Sequence, residues 1–390
     1  MKKNKLISFA LILALSLTTA ANSVYAGSKS KVYLDGSTTS TDSTVSKVGN
    51  GTFPTLAEGE AMTVDAAVAR AIERSTTIKS YEDNIEIAED NLDDIRVYRR
   101  AATEFTEVNS YAISYKSLEA SIATYKDRIE AEKQSIQYKV VSYFVNIINA
   151  QNSLAIYDEY LDIETRNLEI YEKQLELGLI SQTQYESYVD AYNTAVTNKT
   201  TLQNTIDSNY TSLNTLLDYN VAAVYDIELG EEVEYEPIDR TTLAAHVTLA
   251  TSAGGNVNIA VLERNVEIAQ YTLDLHSDLY SSETRMEVEA DLYSATSSLN
   301  DTKLSYEGTV KTLYQSIIES EENYSDLVSQ LNTLNNTMSV YEKQYELGQI
   351  TELQLDTYHY TVKSLENQID AAVYSHYLAV LQYDNPNLLG

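Results

Sequence analysis

The apolar positions of this chain keep a seven-residue period over an unusual length. Val140, Ile147, Leu154, Leu161, Leu168 and Leu175 are spaced by seven, and Tyr143, Ala150, Tyr157 and Tyr171 run three positions further on, with Glu164 interrupting. The pattern returns 170 residues later as Val310, Ile317, Tyr324, Leu331, Met338 and Tyr345, accompanied by Leu313, Leu327, Leu334 and Tyr341. A sustained heptad buries its seam only against a partner helix and imposes a left-handed supercoil. Each run predicts a helix of about 60 residues, or ~90 Å at 1.5 Å per residue. That length suits an elongated coiled-coil bundle better than a compact core. Proline breaks helix interiors. The three prolines, Pro54, Pro237 and Pro386, all fall at boundaries and leave the long stretches uninterrupted.

Both heptad runs end in the same words. Tyr171-Glu172-Lys173-Gln174-Leu175-Glu176-Leu177-Gly178-Leu179-Ile180-Ser181 recurs as Tyr341-Glu342-Lys343-Gln344-Tyr345-Glu346-Leu347-Gly348-Gln349-Ile350-Thr351. In each copy a helical pattern meets a Gly able to take the left-handed conformation that ends a helix. Three residues later Ser181-Gln182-Thr183-Gln184 or Thr351-Glu352-Leu353-Gln354 offers a capping box that starts the next helix. Each copy is therefore a tight helix–turn–helix tip, and the chain reads as two similar helical hairpins. Upstream, Asn84-Ile85-Glu86-Ile87-Ala88 recurs as Asn265-Val266-Glu267-Ile268-Ala269 at an offset of 181, so the halves differ in length at the opposite ends, near 99–115 and 277–290.

These patterns predict an all-α chain with little or no β-structure. The first helical repeat spans 62–220, an acidic linker 221–240, the second repeat 241–385, and a short tail 386–390. Within the linker, Val224 to Glu236 shows partial alternation, consistent with an extended segment or a small strand pair. Residues 27–61 are rich in Ser, Thr and Gly and read as a flexible arm. Residues 1–26 read as a secretory signal peptide: Lys2, Lys3 and Lys5 precede the apolar run Leu6 to Leu17, and Val24-Tyr25-Ala26 offers a cleavage site. An uncleaved anchor is the alternative, disfavoured by the short apolar run.

Charge and composition narrow the function. The chain carries 27 Lys+Arg against 58 Asp+Glu, a net charge of −31. Such an acidic chain argues against nucleic acid or anionic lipid as a direct partner. With no Cys it has no disulfide, no thiolate metal site and no lipid-anchor Cys. His246, His276, His359 and His376 are scattered and make no metal-ligand constellation, so they read as solvated or incidental. There is no phosphate-binding glycine loop. No catalytic residues, metal or cofactor are expected, and the chain does not read as an enzyme. The 32 Tyr, against 4 Phe and no Trp, read as seam filler whose hydroxyls reach the bundle edge, or as a stacking surface along a passage.

Each half resembles one repeat of the TolC, or outer-membrane efflux protein, family. The resemblance rests on the stretch Met62 to Ile72 for the family's opening helix, and on Ile85 to Leu92 for its first long segment. It rests further on Ser142 to Ala150 for the helix after its strands, and on the two Leu-Gly-x-Ile-Ser/Thr tips. It implies an exported, outer-envelope homotrimer forming a helical tunnel. Such a tunnel passively conducts solutes or proteins delivered by a periplasmic membrane-fusion adaptor and an inner-membrane transporter. It also implies a β-barrel, with two strands inserted at the far end of each repeat. Two spanning strands with a turn need about 20–25 residues. The window 99–115 is too short and polar. In 277–297 the alternating run Met286, Val288, Ala290 and Leu292 has Glu287, Glu289 and Asp291 on its other face. A barrel-less relative is therefore expected.

The candidate adaptor-docking residues are Leu177, Gly178, Leu179, Ile180 and Ser181 in one tip, and Leu347, Gly348, Gln349, Ile350 and Thr351 in the other. Their apolar members either dock a partner hairpin or staple their own turn. The resemblance implies a closing network at the tips, of which Tyr345 matches the Tyr. Ile350 and Gln184 replace its Arg and Asp, so that ionic gate does not carry over. Glu186 and Asp356, each eight residues past a tip glycine, would place two carboxylates per copy near the mouth of a tunnel and favour cations. The other reading is an ordinary solvated acidic face. A non-conducting coiled-coil structural or adhesion protein of the cell surface is the alternative to a duct.

Overall fold

A computed structural model describes residues 61–230, 233–276 and 281–389. The expected signal peptide lies outside the described residues, as does the arm apart from Ala61. In chain order the elements are strand β1 (Met62–Thr63), α1 (Val64–Arg74), α2 (Thr76–Ala101), α3 (Phe105–Glu176), α4 (Gln182–Leu217) and strand β2 (Ile227–Glu228). They continue with α5 (Leu243–Ala250), α6 (Val257–Leu275), α7 (Ser282–Glu346), α8 (Glu352–Asp384) and a 3-10 turn (Pro386–Leu388). The all-α architecture of long hairpin helices is the observed one. α3 runs 72 residues and α7 65, both somewhat longer than the heptads alone predicted.

The only β-structure among the described residues is the parallel pair β1–β2, with Met62 opposite Ile227 and Thr63 opposite Glu228. Met62 and Thr63, assigned to the opening helix by resemblance, are therefore strand. Among the described residues the two far ends carry helices and no strand, and residues 277–280 of the second window lie outside the described residues. α2 closes with the Ala102 N–H donating to the Tyr98 carbonyl at 2.9 Å, and α3 begins three residues later. The run Met286 to Leu292 lies inside α7. A strand would put its four apolar residues on one face, whereas the helix turns Val288 inward (9% exposed) and leaves Met286 outward (69%).

The chain folds as two compact units, each drawing on both halves. Of the described residues, one unit holds those of 61–66, 141–236 and 320–377, and the other those of 67–140, 237–319 and 378–389. In the second unit Ala250, Ile259, Tyr306, Val310, Ile317 and Tyr383 form a buried cluster, flanked by Leu243, Val247, Leu313 and Val380. Val310 and Ile317 are the heptad positions that reach it. In the first unit the linker is strapped to the end of α4. Asn214, fully buried, donates to the carbonyls of Val221 (3.3 Å) and Ala223 (2.8 Å) and accepts from the Tyr225 hydroxyl (3.0 Å). The Tyr210 hydroxyl donates to the Tyr225 carbonyl at 2.6 Å. A buried amide with every partner in place fixes the linker without leaving an unpaired polar group.

Candidate functional site: two matching helix tips

Both tips lie in the first unit and are built alike, atom for atom. Gly178 and Gly348 sit at φ 68° and 67°, where a side chain would be strained. The Gly178 N–H donates to the Leu175 carbonyl (2.9 Å) and the Leu179 N–H to that of Gln174 (2.8 Å). In the other tip Gly348 donates to Tyr345 and Gln349 to Gln344, both at 2.8 Å. This is the full Schellman closure, which satisfies carbonyls orphaned by the helix end. The next helices start with reciprocal capping boxes. The Ser181 N–H donates to Gln184 Oε1 (3.0 Å) while the Gln184 N–H donates to Ser181 Oγ (3.3 Å). Thr351 and Gln354 repeat this at 2.9 and 3.2 Å.

The arms of each hairpin are clasped by a tyrosine pair. Tyr171 stacks on Tyr188 and Tyr341 on Tyr358, each with ring centroids 3.5 Å apart and planes 4° from parallel. Sequence reasoning treated these rings as seam filler. The missed signal was their symmetry: in both halves one Tyr lies seven residues before the glycine and another ten after it. Burial raises the phenol pKa of Tyr171 and Tyr358 above the ordinary value.

The two readings of the apolar tip residues divide by residue. Leu177 (73% exposed), Leu179 (71%) and Leu347 (64%) are open to solvent, as is Gln349, whereas Ile180 and Ile350 are half-buried. The apolar contact that accompanies a Schellman closure joins the residue after the glycine to one four before it. Those positions are Leu179 with Gln174 and Gln349 with Gln344, so neither tip has an apolar pair to staple. Tyr345 is 41% exposed.

Away from the turns, α3 and α8 bring the two hairpins together. Arg166 Nη1 donates to Asp356 Oδ2 at 2.7 Å, and its Nη2 lies 3.1 Å from Asp162. The Asp356 partner raises the guanidinium pKa further above its ordinary value. Lys363 reaches Glu159 at 2.6 Å, Asn367 donates to Ser153 Oγ at 3.1 Å, and Tyr160 stacks on Tyr360 at 4.9 Å. Burial pushes Tyr360 up to about 12. A shallow groove of about 700 Å³ runs here, lined by Asp158, Asp162, Ile163, Arg166, Asp356 and His359 among others. Asp356 and Glu186 are therefore not equivalent. Asp356 is held by a cation, whereas Glu186 accepts, among the described residues, a neutral hydrogen bond from Gln182 Nε2 at 3.1 Å. Their sequence equivalence across the repeats did not extend to their environments.

His376 departs from the solvated reading. It is 4% exposed, its Nε2 is 3.3 Å from Oε1 of the equally buried Glu321, and Tyr235 of the linker lies 5.1 Å from its ring. Among the described residues no His, Asp and Glu cluster could hold a metal ion, and no helix is long and apolar enough to cross a membrane.

No protein-family model matches the chain, and no curated protein sequence matches it. Solved structures do. The Campylobacter jejuni CmeC outer-membrane channel superposes with a TM-score of 0.60 at 11% identity, over 84% of this chain and 86% of its own. The outer-membrane channel OprN gives 0.61 at 14%, over 84% and 90%. The outer-membrane protein VceC of Vibrio cholerae gives 0.53 at 13%, over 84% and 96%. At these identities the likeness establishes the fold: the chain folds as these channels do, in the TolC-like manner expected from its repeats.

Proposed function

We propose that this chain is one protomer of a homotrimeric envelope duct for efflux or secretion. Its tips dock a membrane-fusion adaptor, and its helices line a tunnel that passively conducts solutes or proteins handed over by an inner-membrane transporter. Export by the N-terminal signal peptide would deliver it to the cell envelope. The observation that carries the reading is the pair of tips: two turns of identical closure, on hairpins joined by the Arg166–Asp356 bond, each presenting at least one open leucine side chain in a fold shared with outer-membrane channels. Leu177, Leu179, Leu347 and Gln349 would be the docking contacts. Gly178, Gly348, Ser181 and Thr351 would hold the turns in shape, with Ile180 and Ile350 packed behind them.

A second reading, a non-conducting coiled-coil scaffold of the cell surface, is favoured by one observation: among the described residues both far ends carry helices and no strand where a membrane barrel would begin. Two measurements on the mature chain separate the readings. Sedimentation equilibrium should give a trimer, and planar-bilayer recording should give stepwise conductance. A monomer or dimer at micromolar concentration, or a trimer that never conducts, would turn the assignment to the scaffold.

A further inference from the structure

Aromatic rings in proteins pair edge-to-face or offset, with centroids about 4.5–7 Å apart, because rings placed squarely face to face repel through their quadrupoles. Most tyrosine pairs here comply. Tyr157 meets Tyr160 at 5.3 Å and 61°, Tyr160 meets Tyr360 at 4.9 Å and 26°, and Tyr81 meets Tyr125 at 6.0 Å and 29°. The two tip pairs do not: Tyr171–Tyr188 and Tyr341–Tyr358 both sit at 3.5 Å and 4°. Carbon atoms in contact are about 3.5–4.0 Å apart. A centroid distance at the short end of that range leaves the rings almost no offset.

The rotation of one ring over the other is set as well. Burial first, and after it the partner phenol, raises the pKa of Tyr171 and of Tyr358, and in each pair that partner is a hydrogen-bond neighbour. Hydroxyl therefore lies beside hydroxyl, and the Cε carbons flanking one lie over those flanking the other. Those carbons are where tyrosyl radicals couple. The unpaired electron spreads over the oxygen, the two ortho carbons and the para carbon, and the side chain blocks the para position. A face-to-face stack aims the π lobes of the ortho carbons at each other. The composition points the same way. With 32 Tyr and neither Cys nor Trp, the chain has no thiol or indole to drain an oxidising equivalent away from its phenols.

We propose that each tip is a dityrosine site, in which a Cε–Cε bond joins Tyr171 to Tyr188 and another joins Tyr341 to Tyr358. The oxidant is hydrogen peroxide acting through a haem peroxidase. Each phenol gives up one electron and its hydroxyl proton, and the two radicals join. The hydrogen on each joined carbon then moves to the oxygen of its own ring, which restores two phenols. The two electrons and two protons released reduce one peroxide to two waters. The links tie α3 to α4 and α7 to α8, closing both turns covalently in a chain that has no disulfide to do so. This modification goes beyond the duct reading and does not depend on it.

The test is oxidation of the dilute mature chain by hydrogen peroxide with a haem peroxidase, and in parallel by persulfate photolysed with a ruthenium(II) tris-bipyridyl complex. Lys173 lies between Tyr171 and Tyr188, and Lys343 between Tyr341 and Tyr358, so trypsin separates the members of each pair. Mass spectrometry should find peptide 167–173 joined to 174–199, and 312–343 joined to 344–363, each lighter by two hydrogens than the sum of its parts. Tyr171→Phe should abolish the first link and spare the second, and Tyr341→Phe should do the reverse, since both variants keep a ring in the stack. Coupling at Tyr235–Tyr324, which stack at 3.8 Å and 19°, or spread among the other tyrosines with no excess at the tips, would overturn the proposal. So would links between copies in place of links within one chain, or no dityrosine under either oxidant.

Discussion

At the scale of single residues, burial decides which polar groups matter. Asp370 on α8 is half-buried with Glu366 one turn before it; burial first, then that like charge, lifts its pKa from 3.8 to about 6. A carboxyl with a raised native pKa binds its proton more tightly folded than unfolded. Its favourable contribution is full below the unfolded pKa and is lost as pH climbs from about 4 to about 6. Asp370→Asn should therefore be neutral near pH 4 and raise Tm by ~1–3 °C at pH 7.5, after allowing for solvent screening. Equal effects at both pH values would refute the assignment. The buried His376–Glu321 pair follows a different rule. Removing one member takes a hydrogen-bond partner from a buried polar group, so His376→Leu should cost about 1–3 kcal/mol, and His376→Leu with Glu321→Leu should recover part of that. Chemical denaturation of the three variants reads the cycle, and additive losses would show that the two groups are not coupled.

At the scale of elements, the tips were the most legible part of the sequence, because their signals are local. A glycine that must take positive φ, a Ser or Thr three residues on, and a Gln three beyond that each act within a few bonds of the chain. Gly178→Ala and Gly348→Ala should each cost about 1 kcal/mol from backbone strain alone, since an added Cβ meets nothing within 4 Å at either site. A larger loss in thermal denaturation would mean that the turn repacks. The heptads were legible for a related reason: Val140, Ile147, Leu154, Val310, Ile317 and Met338 are all buried as their period requires. The same run fades toward the tip, where Leu161, Leu168 and Leu175 are only half-buried and Ile163 is buried instead. A chain's own period cannot say where its partner helix stops. Nor could it show that α3 neighbours α8, and so the Arg166–Asp356 bond between residues 190 positions apart stayed hidden. Of the β1–β2 pair, β2 falls within the alternating run Val224 to Glu236, whereas its partner Met62–Thr63 was hidden, two residues being too few to leave an alternation.

At the scale of the whole molecule, net charge and assembly are one problem. Copies carrying −31 repel one another unless the surfaces that meet are uncharged or complementary. In a trimeric duct the carboxylates near the tips would then act as a set, but not the set that the repeat suggests. Asp356 brings Arg166 with it, so the pair adds little net charge, whereas each Glu186 adds a full negative charge. Replacing both acids together would confuse the question, because Asp356→Asn also strips Arg166 of its main partner. The cleaner comparison is Glu186→Gln against Arg166→Gln with Asp356→Asn. The first removes one negative charge per copy, and the second removes one charge of each sign. Reversal potentials across a salt gradient should show cation preference reduced by the first and unchanged by the second. If the neutral pair swap moves selectivity as much as Glu186→Gln does, the charge near the tips is not what the ions read, and Glu186 belongs to an ordinary solvated face.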